Sequence, residues 1–221
     1  AEQAFLKARV LGACDSLDGA ADGIVSNTAA CETAFRPAAL RCPDGRDAGD
    51  DCLSDPQIAA LEAGARPFAF ARPMPHGVTS IGPWPVLIGG DIRLWLGDGT
   101  EGSQQAFYRW PAARPEALQS SGIDAQTWAR TVSPVAEVYD ASNPDLDAFR
   151  GKGGRMILVQ GTTDMLVPTA MTTHYFEALT GRYGAGLREF VRYYVAPGYG
   201  HGSGAFHLQW DSLAALDRWV E

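Results

Sequence analysis

The hydrophobic positions of this chain follow two regimes that meet near residue 150. From residue 151 onward the blocks are regular. "RMILVQG" is a short apolar run fit for a strand buried on both faces, and "TAMTTHYFEALTGRYG" has helical spacing. "EFVRYYVAPG" is a second apolar strand, and "HLQWDSLAALDRWVE" a terminal helix. The order is β-α-β-α. In the last helix Leu208, Leu213, Leu216, Trp219 and Val220 fall on neighbouring turns, which predicts an apolar stripe laid on a sheet. Two parallel strands cannot make a stable sheet with both faces covered, so further strands must come from elsewhere. Within the first 150 residues "WPVLIGG" is the main candidate.

Residues 1–150 lack that rhythm. Prolines at 37, 43, 56, 67, 73, 75, 83, 85, 111, 115, 134 and 144 break the segment into turns and short helix-like stretches such as "SDPQIAALEAGA". There Ser54 or Asp55 can cap a helix, with Pro56 in the first turn where its missing N–H costs nothing. The segment reads as an insertion or lid.

Charge narrows the function classes. The 221 residues carry a formal net charge of −8 and no Lys/Arg run, which excludes the electrostatic footprint of a nucleic-acid or anionic-membrane binder. With 46% hydrophobic and 20% charged residues, small-molecule chemistry in a globular protein is the expectation. No apolar run approaches the length of a bilayer span, and "AEQAFLKARVLGACD" lacks the basic-then-apolar pattern of a signal peptide. The first residue is not methionine, so the chain is expected to be a mature, processed or excised piece of something longer.

All four cysteines, Cys14, Cys31, Cys42 and Cys52, lie in the first quarter. Four thiols allow three pairings, of which the sequential one closes two short loops. Disulfides would imply an oxidising compartment. A four-thiolate zinc site, lacking C-x-x-C spacing, and free buried thiols are the alternatives.

Three further stretches carry candidate chemistry. In "CDSLDGAADGIV" the acids Asp15, Asp18 and Asp22 are spaced three and four apart, with Gly19 and Gly23 free to take positive φ. Three acids so close repel unless a cation holds them. A hard ion such as Ca²⁺ could use them with the carbonyls of Ala20 and Ile24, although the spacing is not that of an EF-hand. A solvated acidic turn is the competing reading. In "MILVQGTTDMLVP" Asp164 follows a strand, where side chains of open α/β sheets line the ligand crevice; its plainer role would be a turn or N-cap aspartate. His201, in "YYVAPGYGHGSG", lies 37 residues after Asp164, across one helix and one strand. Both can therefore meet at one sheet edge as an Asp–His pair, the carboxylate fixing the imidazole tautomer. His76, His174 and His207 read as structural or solvent-exposed.

An Asp then a His, each just past a strand, is the tail of the Ser…Asp…His order of α/β-hydrolases, but no G-x-S-x-G elbow is present. "EGSQQ" and "HGSGA" lack the flanking glycines, and Ser203 is too near His201.

Together these motifs resemble the tannase and feruloyl esterase family, which also includes mono(hydroxyethyl) terephthalate hydrolase. "ACDSLDGAADGIVSNTAAC" is similar to its lid calcium loop, "DLDAFRGKGGRMILVQGTTDMLVP" to its acid segment and "YYVAPGYGHGSG" to its histidine segment. The resemblance implies an α/β fold: the C-terminal part of an α/β-hydrolase sheet (151–221) with a large, irregular lid domain (1–150) stabilised by disulfides and calcium. It implies pairing of Cys14 with Cys31 and of Cys42 with Cys52. It also implies structural Ca²⁺, remote from the chemistry, on Asp15, Asp18, Asp22 and the carbonyls of Ala20 and Ile24.

Asp164 and His201 would complete a Ser-His-Asp triad whose serine lies before residue 1, on an N-terminal chain or segment. Gly202 departs from the family pattern, which has a cysteine there, bonded to one beside the serine. The expected function is a serine carboxylesterase for esters of aromatic acids (hydroxycinnamic, gallic or similar), secreted or periplasmic. A calcium-stabilised, non-catalytic binding module and an α/β-hydrolase for other acids are the alternatives. Trp84, Trp95, Phe107 and Trp110 could stack on a substrate ring, and Arg93 or Arg109 could pair with an acid group. Each aromatic could equally be lid core.

Overall fold

The first helix of the computed structural model, α1 (Glu2–Cys14), was not legible in the pattern above. It fully buries one residue per turn, Leu6, Val10 and Cys14, with Phe5 and Leu11 packed partly beside them. The structure describes residues 2–70, 72–92, 130 and 133–221. Cys14 pairs with Cys31 in α2 (Thr28–Ala34), and Cys42 with Cys52. Among the described residues no cysteine is free, so the zinc and free-thiol readings are set aside. The bridges join residues 17 and 10 apart, and closing such loops restricts the unfolded chain by about 3 kcal/mol each.

Helix α3 (Asp55–Gly64) starts where the sequence predicts. Gln57 Oε1 accepts from Ser54 N (2.7 Å) and Ser54 Oγ (2.8 Å), and Gln57 Nε2 donates to Glu2 at 2.8 Å, tying α3 to α1. Asp55 takes Arg41 in a two-point fork (2.6 and 2.9 Å) that holds its carboxyl below the usual carboxylate range. Leu6, Val10, Phe35, Ile58 and Leu61 form a core that also takes in Val86 and Met165. A short antiparallel pair, β1 (Phe68–Ala69) and β2 (Ser80–Ile81), follows α3.

The candidate strand "WPVLIGG" is not a strand. Its amides turn back, Ile88 N and Gly90 N both donating to Pro85 O at 3.3 and 2.9 Å. Pro83 and Pro85 remove ladder donors, and Gly89 takes a φ of +98°, so the run ends in turns with Val86 buried in the core.

Beyond α4 (Ser133–Tyr139) and α5 (Asp147–Gly151), the β-α-β-α pattern appears as predicted. Strands β3 (Met156–Gly161) and β4 (Val191–Ala196) pair in parallel from Met156↔Val191 to Gly161↔Ala196, connected by α6 (Thr169–Tyr183). Leu179, Leu187, Phe190 and Val191 are buried between helix and strands, with Met156 and Leu158 against them. Each fully buried side chain of this kind stabilises the fold by about 1.5–3 kcal/mol.

The last helix, α7 (Ser212–Val220), begins five residues later than the pattern suggests. Asp211 caps it by accepting from Ala214 N at 2.9 Å, which leaves Leu208 outside the helix. Its stripe is not buried: Leu213 is 77% exposed and Val220 56%. Trp219 lies between Arg192 and Arg155, 4.7 and 6.0 Å from the ring centroid. An open apolar groove of about 640 Å³ separates α7 from the outer face of the sheet at Ile157, Val159 and Tyr194. Among the described residues the parallel sheet is only two strands wide, too narrow for the helix to cover it.

The Cys14–Cys31 bridge makes a direct prediction. Replacing both residues by serine should lower the unfolding free energy by about 3 kcal/mol in denaturant titration without reductant. Unchanged stability would mean that the α1–α2 core holds without the bridge.

Candidate active site

Strand β3 ends in a buried glutamine and glycine, Gln160 and Gly161. Gly161 is required by close approach, since a Cβ there would sit 1.9 Å from Tyr199 O. Past the strand, Thr162 N donates to Ala196 O (3.1 Å) and Thr163 N to Tyr199 O (3.0 Å). The buried Thr162 Oγ1 accepts from Gly198 N at 2.9 Å. These bonds fasten the loop after β3 to the loop after β4, and each loop carries one of the predicted site residues.

Asp164, 5% exposed, turns both oxygens to donors. Oδ1 accepts from Leu166 N and Val167 N, both at 2.9 Å. Oδ2 faces His201 Nδ1 at 3.0 Å and Gln160 Nε2 at 3.2 Å. The carboxylate shapes its own turn but does not cap α6, which starts at Thr169 after Pro168. A buried carboxylate is stable only with donors of this kind.

His201 sits in a loop closed by the Tyr199↔Gly204 bridge, with Gly200 N donating to Ser203 O (2.6 Å) and Ala205 N to Gly198 O (3.2 Å). Gly198 and Gly202 take φ of +68° and +77°, conformations that favour glycine. The His201 side chain is 52% exposed. Because a carboxylate only accepts, Nδ1 carries the proton, and Nε2 is left with a lone pair for chemistry on the open side. Such a pair can act as a general base with a fixed tautomer.

The acidic loop has the local shape the glycines predict, Gly19 and Gly23 at φ of +94° and +80°. Its carboxylates are turned to backbone amides. Asp15 Oδ1 accepts from Asp22 N (3.2 Å) and Gly23 N (2.9 Å), Asp18 Oδ1 from Ala20 N (2.8 Å), and Asp22 Oδ1 from Ile24 N (3.0 Å). The Ala20 amide, helped by the Ser26 hydroxyl, holds the Asp18 carboxyl below its usual range. The donor set suits a hard cation, being oxygen only and on one short loop. Among the described residues, however, no group of three or more His, Cys, Asp or Glu is gathered closely enough to hold a metal. At its end Ile24 packs on Gly198, where an added Cβ would lie 2.9 Å from Ile24 Cγ2.

The remaining candidates separate. His76, His174 and His207 are exposed, His76 at a φ of 58°. Trp84 lines a cleft of about 370 Å³ that also touches Arg36, Leu87, Thr162 and Thr169. Trp95, Phe107, Trp110, Arg93 and Arg109 lie outside the described residues. Sequence reasoning missed Gln160; its signal was a lone polar residue closing the apolar run "MILVQG".

Known proteins resemble this chain in sequence and fold. The sequence pattern of the family described as "Tannase and feruloyl esterase" matches residues 2–84 and 104–221. The mono(2-hydroxyethyl) terephthalate hydrolase of Piscinibacter sakaiensis is 30% identical over 98% of this chain and 42% of that protein. Feruloyl esterase C of Talaromyces stipitatus is 25% identical over all of this chain and 44% of its own length. Among solved structures, an esterase from Aspergillus oryzae superposes with a TM-score of 0.75 at 18% identity, covering 99% of this chain and 46% of that one. The chain thus spans less than half the length of the curated relatives it matches. With a family match that takes in the acidic loop, Asp164 and His201, the chain belongs to the tannase and feruloyl esterase family.

Proposed function

We propose that this chain supplies the acid and the base of a serine carboxylesterase that hydrolyses esters of aromatic acids. The observation that carries the reading is the 3.0 Å contact between buried Asp164 Oδ2 and His201 Nδ1, at the ends of two adjacent parallel strands. The nucleophilic serine belongs to an N-terminal segment or chain outside residues 1–221. In support, the sequence has no G-x-S-x-G elbow, relatives are more than twice as long, and the sheet face at Ile157 and Val159 is open. That segment would also widen the sheet.

In the reaction, His201 Nε2 takes the serine Oγ proton as Oγ bonds to the ester carbonyl carbon, and Asp164 stabilises the imidazolium. Collapse of the tetrahedral intermediate breaks the bond to the alkoxide oxygen, which receives that proton and leaves as the alcohol. Water, deprotonated by His201 in turn, then releases the acid and restores the serine. Substrate class is drawn from the relatives named for feruloyl and terephthalate esters.

Residues 1–150 serve as the lid in this reading. Ca²⁺ would be held by Asp15, Asp18 and Asp22 with the carbonyls of Ala20 and Ile24. It would supply charge neutralisation that stabilises the folded loop. The two disulfides fit a secreted or periplasmic site of action. Among the described residues no helix is long and apolar enough to cross a membrane.

In the full-length protein His201→Ala should lower kcat on methyl ferulate or another aromatic ester at least roughly a thousandfold while the melting temperature stays within a few degrees. Full activity in that variant would end the triad assignment. Separately, chelation by EGTA should lower the melting temperature by several degrees, with recovery on added Ca²⁺. A melting curve indifferent to both would count against the calcium loop.

A further inference from the structure

We propose that Gln160 is a positioning residue of this site, its side-chain amide fixing Asp164 Oδ2 where His201 meets it. The inference rests on reading Asp164 and His201 as the acid and base of an esterase.

Gln160 is the one polar side chain of β3 and is 8% exposed. A buried amide is costly unless its groups are paired, and this one is paired on both ends. Nε2 donates to Val167 O at 3.1 Å and Asp164 Oδ2 at 3.2 Å, with Gly161 O further off at 3.4 Å. Oε1 accepts from Thr172 Oγ1 at 2.8 Å. The orientation of the amide follows from its partners. A carbonyl and a carboxylate only accept, so the NH₂ group must face Val167 and Asp164, and the Thr172 hydroxyl must then donate to Oε1.

The side chain therefore links three elements: β3, the turn after Asp164, and the first turns of α6. Oδ1 of Asp164 is already fixed by two backbone amides, and Gln160 fixes Oδ2, so the carboxylate cannot rotate about its Cβ–Cγ bond without losing donors at both ends. This matters because His201 is half-exposed on a glycine-flanked loop and must find its acceptor in one place. With an apolar residue at position 160, Val167 O would lose this partner, and Asp164 Oδ2 would keep only His201. Hydrogen bonds to charged groups are among the stronger ones, so the loss should be visible in turnover.

The test uses the full-length protein with 4-nitrophenyl acetate as the probe ester, comparing Gln160→Met, Thr172→Val and His201→Ala. Gln160→Met keeps the volume and removes the donor. It should lower kcat roughly tenfold or more with KM changed less than about twofold, and it should shift or broaden the His201 Nδ1 proton resonance in ¹H NMR. Thr172→Val, which removes only the hydroxyl that orients the amide, should give a smaller loss of the same kind and covers the case in which the Met variant fails to fold. Wild-type kcat in a folded Gln160→Met protein, or in Thr172→Val if only that folds, would overturn the role of Gln160. An inactive His201→Ala beside a fully active Gln160→Met would sink this inference alone, whereas a fully active His201→Ala would sink the esterase reading beneath it.

Discussion

A single buried carboxylate organises this part of the molecule. Asp164 receives four donors from three pieces of local structure, two from its own turn, one from β3 and one from the histidine loop. Burial of an ion without such company costs several kcal/mol. The turn after β3, the glutamine in the strand and the loop after β4 are all arranged around keeping that charge satisfied. The same hydrogen bonds hold the His201 imidazole by Nδ1, so in the proposed reading stability and function share one set of contacts.

The two halves of the chain are joined at this point. Met165, next to Asp164 and fully buried, packs into the core built by α1, α2 and α3 rather than the core beneath α6. On the other side Ile24, at the end of the acidic loop, closes on Gly198, three residues before His201. The acid turn and the histidine loop therefore each rest on the N-terminal half.

Much of this was written in the sequence, and the exceptions have physical reasons. β3, α6 and β4 were legible because short apolar runs bounded by glycine and proline leave few alternatives. The meeting of Asp164 with His201 could be foreseen from one helix and one strand lying between them. Positive φ at Gly19 and Gly23 was likewise readable. By contrast, α1 fully buries only one residue per turn, and "WPVLIGG" has the apolar content of a strand but prolines that deny it a ladder. The stripe of α7 was present in the pattern, but a two-stranded sheet gives it too little surface to bury. Gln160 was passed over because a polar residue closing a strand looks like a boundary; its role depends on Val167 and Thr172, whose approach no local pattern encodes. The cysteine pairing was open from spacing and became definite only through resemblance and then geometry.

The central claim is that Asp164 and His201 activate a serine located elsewhere in the protein. The most direct measurement is to treat the full-length protein with a fluorophosphonate, digest it and locate the adduct by mass spectrometry. A single adduct on a serine outside residues 1–221, formed far more slowly when His201 is replaced, is the predicted result. Labelling of Ser203 or another serine within this chain, or no labelling of an active enzyme, would contradict it.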